Sequence, residues 1–170
     1  MVRHARPRKA GRRDLCMTKL NTILRSNEIT FGYRIGYLSN VFSGPVYKVA
    51  ERDYGIQRPM FATLFCISHL EDLTATDVCG MTGIGKKTIS RAVTALETKG
   101  LLKRRPNPAD SRSTLLKIAP AGRKTYESIL PMLQARQKAM IETLDRDEQK
   151  QLRALLDKMI ARDDGWSANY

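Results

Sequence analysis

Residues Leu73–Pro120 read LTATDVCGMTGIGKKTISRAVTALETKGLLKRRPNPADSRSTLLKIAP. The glycine-rich segment Gly80–Gly85 separates a short stretch from a longer one, as expected for a turn between two helices. The longer stretch, Lys86–Lys99, repeats apolar residues at intervals of three and four, which is helical spacing. Gly100 follows directly and is a common helix stop signal. The sequence therefore predicts two consecutive helices joined by a tight turn.

The two predicted helices differ in the side chains that they carry. The first has an N-cap threonine, either Thr74 or Thr76, and Asp77 in its first turn. The second has one apolar stripe, made of Ile89, Val93 and Leu96. Its other face carries short polar or basic side chains, namely Lys86, Lys87, Thr88, Ser90, Arg91 and Thr94. A face of this kind can approach base edges closely in a DNA groove.

A basic hairpin is predicted after the second helix. Two short strands, Leu101–Leu102 and Leu115–Ile118, flank a polar, turn-rich tip at Arg104–Arg112. Helix, turn, helix and hairpin in this order are the layout of a winged helix-turn-helix. Its second helix enters the major groove, and its hairpin reaches the adjacent backbone or minor groove.

Amphipathic helices are predicted on both sides of this unit. One apolar repeat runs from about Ile29 to Glu51, with a kink or break expected at Gly44–Pro45 and an end at Asp53–Gly55. A shorter helix is predicted over Met60–Leu70. After the wing, helices are predicted over Arg123–Leu144, with a possible bend at Pro131, and from an N-cap at Asp145 or Asp147 to Asp163–Gly165.

The outer helices have little of the chain's own structure to pack against, so we expect a second copy to bury their apolar stripes across a two-fold axis. The predicted fold class is mainly α with a small β-hairpin wing, a winged helix-turn-helix lobe plus N- and C-terminal dimerisation helices. The predicted segments are 1–28, a basic arm disordered in part; 29–56, a dimerisation helix; 57–122, the DNA-binding lobe; and 123–170, the C-terminal dimerisation helices.

The positive charge is concentrated in two places. The net charge of the 170 residues is +13. Residues 1–13 hold six Lys or Arg and no acid, residues 84–124 hold eleven against two acids, and the remainder sums to −2. This distribution is typical of nucleic-acid binding, whereas a generic solubilising surface would spread its charge evenly.

Residues 1–15 lack the apolar core of a secretory signal. They are either a basic arm that contacts phosphates or lie upstream of a true start at Met17.

The three cysteines, Cys16, Cys66 and Cys79, are odd in number and widely spaced, which supports neither a disulfide framework nor a zinc site. Cys66 and Cys79 lie in predicted helices, where reduced core residues are expected. No apolar run approaches the length of a membrane span, and we expect a soluble, cytoplasmic protein without cofactors.

The chain resembles the MarR family of bacterial transcription regulators. The resemblance follows element order over roughly residues 30–162 and is specific over about 84–123. It rests on Ile89–Arg91, Leu96–Glu97, Lys99–Leu102, Arg104–Arg105, the pair Asp110 and Arg112, and the pair Pro120 and Gly122. It implies a homodimer, acting as a repressor, that binds a pseudo-palindromic operator and is released by a small aromatic or phenolic ligand. Some such regulators sense oxidants with a cysteine at the start of their first long helix, but Cys16 lies well before that point here.

Residue roles follow from chemistry and from the resemblance. Arg91 is the candidate for bidentate recognition of guanine, with phosphate binding alone as the alternative. Lys86 and Lys87 are expected to contribute affinity. By resemblance, Arg112 enters the minor groove and Asp110 orients it. Backbone contacts are expected from Lys103, Arg104 and Arg105, and a ligand crevice is predicted to involve Tyr33, Arg34, Tyr37 and His69.

Two other function classes are considered. A ligand-independent architectural DNA-binding protein would have the same charge but no effector. A nucleotide-binding enzyme is suggested by Gly80–Thr88, which is close to a phosphate-binding loop. That loop needs a hydroxyl after its lysine, where Lys87 stands, and a buried strand before its first glycine. No other enzymatic constellation occurs, and His69 at the end of an apolar segment reads more simply as a boundary residue.

Overall fold

The computed structural model describes residues 12–162, with side chains from Cys16 onward. The first part of the predicted basic arm, residues 1–11, and the helix end predicted at Asp163–Gly165 lie outside the described residues. The described chain consists, in order, of α1 Arg12–Ser26, α2 Thr30–Tyr54, α3 Arg58–His69, β1 Leu73–Thr74, α4 Ala75–Thr82, α5 Lys86–Thr98, β2 Leu102–Pro106, β3 Thr114–Ile118, α6 Pro120–Ile141 and α7 Arg146–Ile160. The predicted fold class, mainly α with a small β wing, is confirmed.

The described residues form two compact units, one that ends at Val41 and one that begins at Phe42. In the first unit, Arg34 donates hydrogen bonds to the carbonyls of Thr30 and Leu24, at 2.8 and 2.9 Å, and so ties the end of α1 to the start of α2. Helix α1 was not predicted, since its residues were assigned to the basic arm. Its basic, threonine and asparagine residues dilute the apolar periodicity on which helix prediction rests.

Helix α2 continues through Pro45, so the expected break is absent there. A proline removes one backbone donor and does not by itself end a helix. The helix ends where expected, because Gly55 takes a left-handed conformation with φ of 62°. In the second unit, Arg136 of α6 donates from Nε to the carbonyl of Phe42, at 2.6 Å, and joins α6 to α2.

Side-chain caps fix the starts of α4 and α7. Of the two candidate N-caps of α4, Thr74 is the one used. Its hydroxyl accepts from the backbone N–H of Asp77, and the Asp77 carboxylate accepts from the backbone N–H of Thr74. The Thr74 N–H and, after it, the Thr74 hydroxyl donate to the Asp77 carboxylate and hold the pKa of that carboxyl below its ordinary value. Asp145 caps α7 in the same way, with Glu148 as its reciprocal partner.

The sheet has the strand order β1-β3-β2, with both pairs antiparallel. The short strand β1 was not predicted, since two residues carry no readable alternation. Strand β2 extends to Pro106, so Arg104 and Arg105 lie in the strand rather than in the predicted tip. Their pairing with Leu116 and Leu115 places them there.

The core of the second unit lies between α3, α5, α6 and the inner face of the sheet. Phe61 stacks on Tyr126 with ring centroids 5.7 Å apart, and Tyr47 lies 6.1 Å from Phe61. The large apolar side chains that are almost fully buried are Ile56, Leu64, Val78, Ile89, Val93, Leu96, Leu102 and Ile129. Among the described residues, no helix is both long enough and apolar enough to cross a membrane.

Gly122 lies where the wing joins α6. A Cβ built on Gly122 would overlap the carbonyl oxygen of Leu101, which is backbone and cannot move aside. The same carbonyl accepts a hydrogen bond from the backbone N–H of Ala119, at 3.0 Å. The last residues of the wing and the first turn of α6 therefore pack directly on Leu101, between α5 and β2.

We expect Gly122→Ala to lower the free energy of unfolding by about 1–3 kcal/mol, as overpacking does when the neighbour is rigid. Urea unfolding followed by circular dichroism measures this change. Gly80→Ala is the matched control, because Gly80 lies inside α4 with open space around its Cα. The control should be neutral or stabilising by up to about 1 kcal/mol, and equal losses in the two variants would contradict the packing argument.

Candidate nucleic-acid interface

Helix α5 separates an apolar face from a polar one. Ile89, Val93 and Leu96 are at most 1% exposed. The residues predicted for the outward face are all exposed: Lys86, Lys87, Thr88, Ser90, Arg91 and Thr94. The predicted division of the helix surface is confirmed, and contact of this face with DNA stays a prediction.

The start of α5 is open to an external acceptor. Its N-cap is Gly85, which offers no side-chain hydrogen bond. The first N–H groups of a helix have no intrahelical partner and favour anions such as phosphate. The preceding turn ends α4 with Gly83 in a left-handed conformation, φ of 65°. The glycines thus form the inter-helix turn that the sequence predicted.

The wing tip is ordered by side-chain hydrogen bonds to its own backbone. Asp110 Oδ1 accepts from the backbone N–H of Arg112 at 3.0 Å, and Asn107 Oδ1 accepts from that of Ala109 at 3.0 Å. Asn107 also donates to the Ser113 hydroxyl across the tip, at 2.8 Å. Asp110 therefore contacts the backbone of Arg112 and shapes the turn. Its effect on the Arg112 guanidinium is indirect, through the conformation of that turn.

The two arginines of β2 are paired with carboxylates. Arg104 donates from Nε to Glu97 Oε2 of α5 at 2.8 Å, and from Nη2 to the Thr94 hydroxyl at 3.2 Å. Arg105 forms an ion pair with Asp72 in the loop before β1. Asp72 has a positive φ of 61°, a conformation that aspartate tolerates better than most residues. Neither pairing was predicted, because each joins residues seven or more positions apart.

An aromatic cavity of about 530 Å³ lies within the second unit. It is within the size range of small-molecule sites. Its wall is lined by Phe42, Tyr47, Phe61, Phe65, His69 and Leu133, and its polar groups are Arg58, Thr82, Gln134 and Gln137. Burial raises the pKa of the Tyr47 hydroxyl, against the opposing effect of the Arg58 charge, so the phenol is neutral at physiological pH and able to donate a hydrogen bond.

Of the four residues predicted for a ligand crevice, His69 lies in this cavity. Its Nδ1 is 2.8 Å from the Phe65 carbonyl, and its ring is 4.4 Å from the Phe65 ring. The lining does not include Tyr33, Arg34 or Tyr37, and their role stays a prediction. The sequence held a signal that was missed: Phe61, Phe65 and His69 recur every four residues, and so share one face of α3.

The cysteines are free thiols. Cys66 is buried as expected, and burial raises the pKa of its thiol, which makes it a poor nucleophile. Cys79 is only half-buried against the core, and Cys16 is exposed. The chain segment Asp77–Cys79 lies in α4 rather than in a strand. The strand that a phosphate-binding loop requires is therefore absent from this position.

A model of the MarR family matches residues 54–113, from the end of α2 to the wing tip. Over this segment the chain is similar to the MarR family. The HTH-type transcriptional regulator YdgJ of Bacillus subtilis (strain 168) is 27% identical over 105 residues, which are 62% of this chain and 64% of that protein. The alignment thus spans somewhat less than two thirds of the length of this relative.

Two solved MarR-family structures have the same fold. A mutant MarR from E. coli, complexed with operator DNA, is 23% identical with a TM-score of 0.66 and covers 76% of this chain and 93% of its own. The PcaV regulator of Streptomyces coelicolor, in complex with its natural ligand, is 19% identical with a TM-score of 0.66 and covers 81% and 94%. At these identities the MarR-family likeness defines the fold.

Proposed function

We propose that this chain is a cytoplasmic transcription regulator that binds double-stranded DNA sequence-specifically as a homodimer and acts as a repressor. The observation that carries the proposal is the exposed face of α5, where short polar and basic side chains stand beside an ordered basic wing. The fold neighbour from E. coli is complexed with operator DNA, which supports the same use of this fold here. A transcription regulator of this kind needs neither a catalytic centre nor a cofactor.

Arg91 is proposed to recognise guanine through both arms of its guanidinium. Arg91→Ala is then expected to cost about 1–3 kcal/mol of binding to a specific duplex and much less on scrambled DNA. Fluorescence anisotropy over a salt series measures both affinities, with a specific duplex selected by the wild-type chain from a random-sequence pool.

Arg91→Lys is the matched control for this experiment, since it keeps the charge and removes the planar fork. Equal binding by Arg91→Lys and the wild type would assign Arg91 to phosphate alone. Failure of the wild type to select any sequence, with affinity that collapses steeply in salt, would favour the architectural DNA-binding protein instead.

Homodimer formation is proposed because two apolar faces are exposed in the single chain. In the first part of α2, Phe31 is 79% exposed and Leu38 is 52% exposed, although the periodicity marks both as apolar-face residues. Helix α7 has no buried residue, and its stripe of Leu152, Leu155, Leu156, Met159 and Ile160 is exposed by 40–68%. Contiguous apolar faces of this kind are typical of surfaces that pack against another chain.

We expect the wild type to sediment as a dimer and Leu155→Asp to shift the equilibrium toward monomer, because a carboxylate would be buried without a partner. Analytical ultracentrifugation over a concentration series measures the shift. Lys150→Asp, on the opposite side of the same helix, should change self-association little. Dimers of unchanged affinity in Leu155→Asp would place the interface elsewhere.

A small aromatic effector is proposed for the cavity beside α3, which offers an aromatic wall together with the Arg58 guanidinium and two glutamines. The fold neighbour PcaV was solved with its natural ligand, which supports a ligand site in proteins of this shape. An effector that prefers a conformation unsuited to DNA shifts the population away from binding, by no more than its differential affinity.

Ala62→Phe is expected to fill this cavity, because Ala62 is half-buried in its lining. Simple aromatic acids and phenols, added to the protein–DNA complex in the anisotropy assay, provide the screen. A compound that releases DNA from the wild type should lose most of its effect on Ala62→Phe, while DNA affinity without the compound stays the same. An unchanged response in the variant would locate the effector outside this cavity.

A further inference from the structure

Arg104 holds the wing to the recognition helix. Its guanidinium spans the gap between β2 and α5, with Nε 2.8 Å from Glu97 Oε2 and Nη2 3.2 Å from the Thr94 hydroxyl. Thr94 and Glu97 are three residues apart and therefore neighbours on one side of the helix. The Nε and Nη2 atoms on the edge of the guanidinium that faces α5 therefore both donate hydrogen bonds within the protein.

The alternation of β2 explains why Arg104 faces α5. Successive side chains of a strand point to opposite faces, so Arg104 shares a face with the buried Leu102, and this face continues over α5. Arg105 belongs to the other face and pairs with Asp72. Lys103, also on the other face, makes no ion pair within the described part of the chain, so it is the residue of this basic run that is left for a phosphate.

The position of Glu97 needs an explanation, because a carboxylate beside a DNA-binding face is repelled by phosphates. Pairing with Arg104 supplies one: the pair is neutral as a unit. Its members are 35% and 42% exposed, and an ion pair this exposed contributes little to the stability of the fold. The ion pair instead fixes the position of β2 relative to α5, because the Arg104 guanidinium is hydrogen-bonded to α5 at two points.

We infer that Arg104 is a positioning residue that sets the angle of the wing relative to α5, and that Glu97 and Thr94 are its partners. The inference rests on the proposed DNA-binding function. It differs from the expectation from the sequence in one respect, because it does not make Arg104 a phosphate contact. The Thr94 hydroxyl accepts from Arg104, so Thr94 serves the same joint rather than a base edge. When this angle is fixed, Arg112 at the wing tip enters the minor groove at a fixed distance from the major-groove site of α5.

Glu97→Ala separates the two roles because they predict changes of opposite sign. If Arg104 contacted phosphate, removal of the competing carboxylate would free it and tighten DNA binding. If Arg104 positions the wing, the same change should weaken specific binding by roughly three- to tenfold, in the lower part of the range found for coupled residues in contact. Alanine is the best helix former, so α5 itself should be unharmed.

The experiment uses the full chain and the duplex that the wild type selects from a random pool. Specific affinity comes from anisotropy, and hydroxyl-radical footprinting reports the DNA protected by the wing. Glu97→Ala should lose protection at the outer, wing-contacted positions and keep it in the central major groove. Glu97→Gln, whose amide oxygen can still accept from Arg104, should recover part of the loss.

Three controls keep the outcomes distinct. Glu127→Ala removes the same charge from an exposed position on α6 and should not weaken specific binding. Lys103→Ala should lower the slope of log affinity against log salt by about 0.9, the value for one phosphate contact. The pair variant Glu97→Gln/Arg104→Gln, which is unchanged in net charge, should leave the slope as it is. Circular dichroism of each variant confirms that it is folded.

Tighter binding by both Glu97→Ala and Glu97→Gln, or a lower salt slope in the pair variant, would overturn the inference and return Arg104 to the phosphate contacts. Wild-type affinity with an unchanged footprint in Glu97→Ala would also overturn it. If the wild type itself selects no sequence and leaves no footprint, the proposed function fails before the role of Arg104 is reached. The two failures are therefore distinguishable.

Discussion

The arrangement of the winged helix-turn-helix lobe depends on the backbone of Leu101. Its N–H donates to the carbonyl of Leu96 at the end of α5, at 2.9 Å, and its carbonyl accepts from Ala119 at the end of the wing. The absence of a side chain at Gly122 lets α6 begin directly against that carbonyl. One residue thus connects α5, the closing strand β3 of the hairpin and helix α6, which leaves the lobe. A shift at this point would move all three.

Much of the lobe was predictable because its signals are local. Thr74, the Gly80–Gly85 turn and Gly100 punctuate the chain, and the intervals of three and four between Ile89, Val93 and Leu96 define the inner face of α5. The same reasoning missed α1, where polar residues dilute the apolar repeat, and β1, which is too short to alternate. It also ended β2 too early. Local patterns do not reveal what a segment pairs with, and pairing with β3 is what makes Arg104 part of a strand.

The candidate site was predictable to a similar degree. Exposure of the polar face of α5 follows from periodicity alone, and the structure agrees with it. The sequence does not show which arginine forms an ion pair within the protein. Arg104, Arg105 and Arg112 are alike in sequence, yet they differ in their surroundings. Glu97 holds the first, Asp72 holds the second, and the third follows a turn that Asp110 shapes. Composition counts these charges equally, whereas only the folded chain shows which are already neutralised.

The aromatic cavity has a consequence for how such a protein can vary. Phe61 and Cys66 belong to the cavity wall and to the buried core at once, at 3% and 7% exposure. A substitution there reshapes the cavity and disturbs the packing that supports α5 in a single step. Phe65, Leu70 and Met81 line the same cavity but are 45–51% exposed. Changes in the shape of the cavity are therefore least costly at its rim, and descendants of this chain are expected to differ at the rim while they keep the same buried wall.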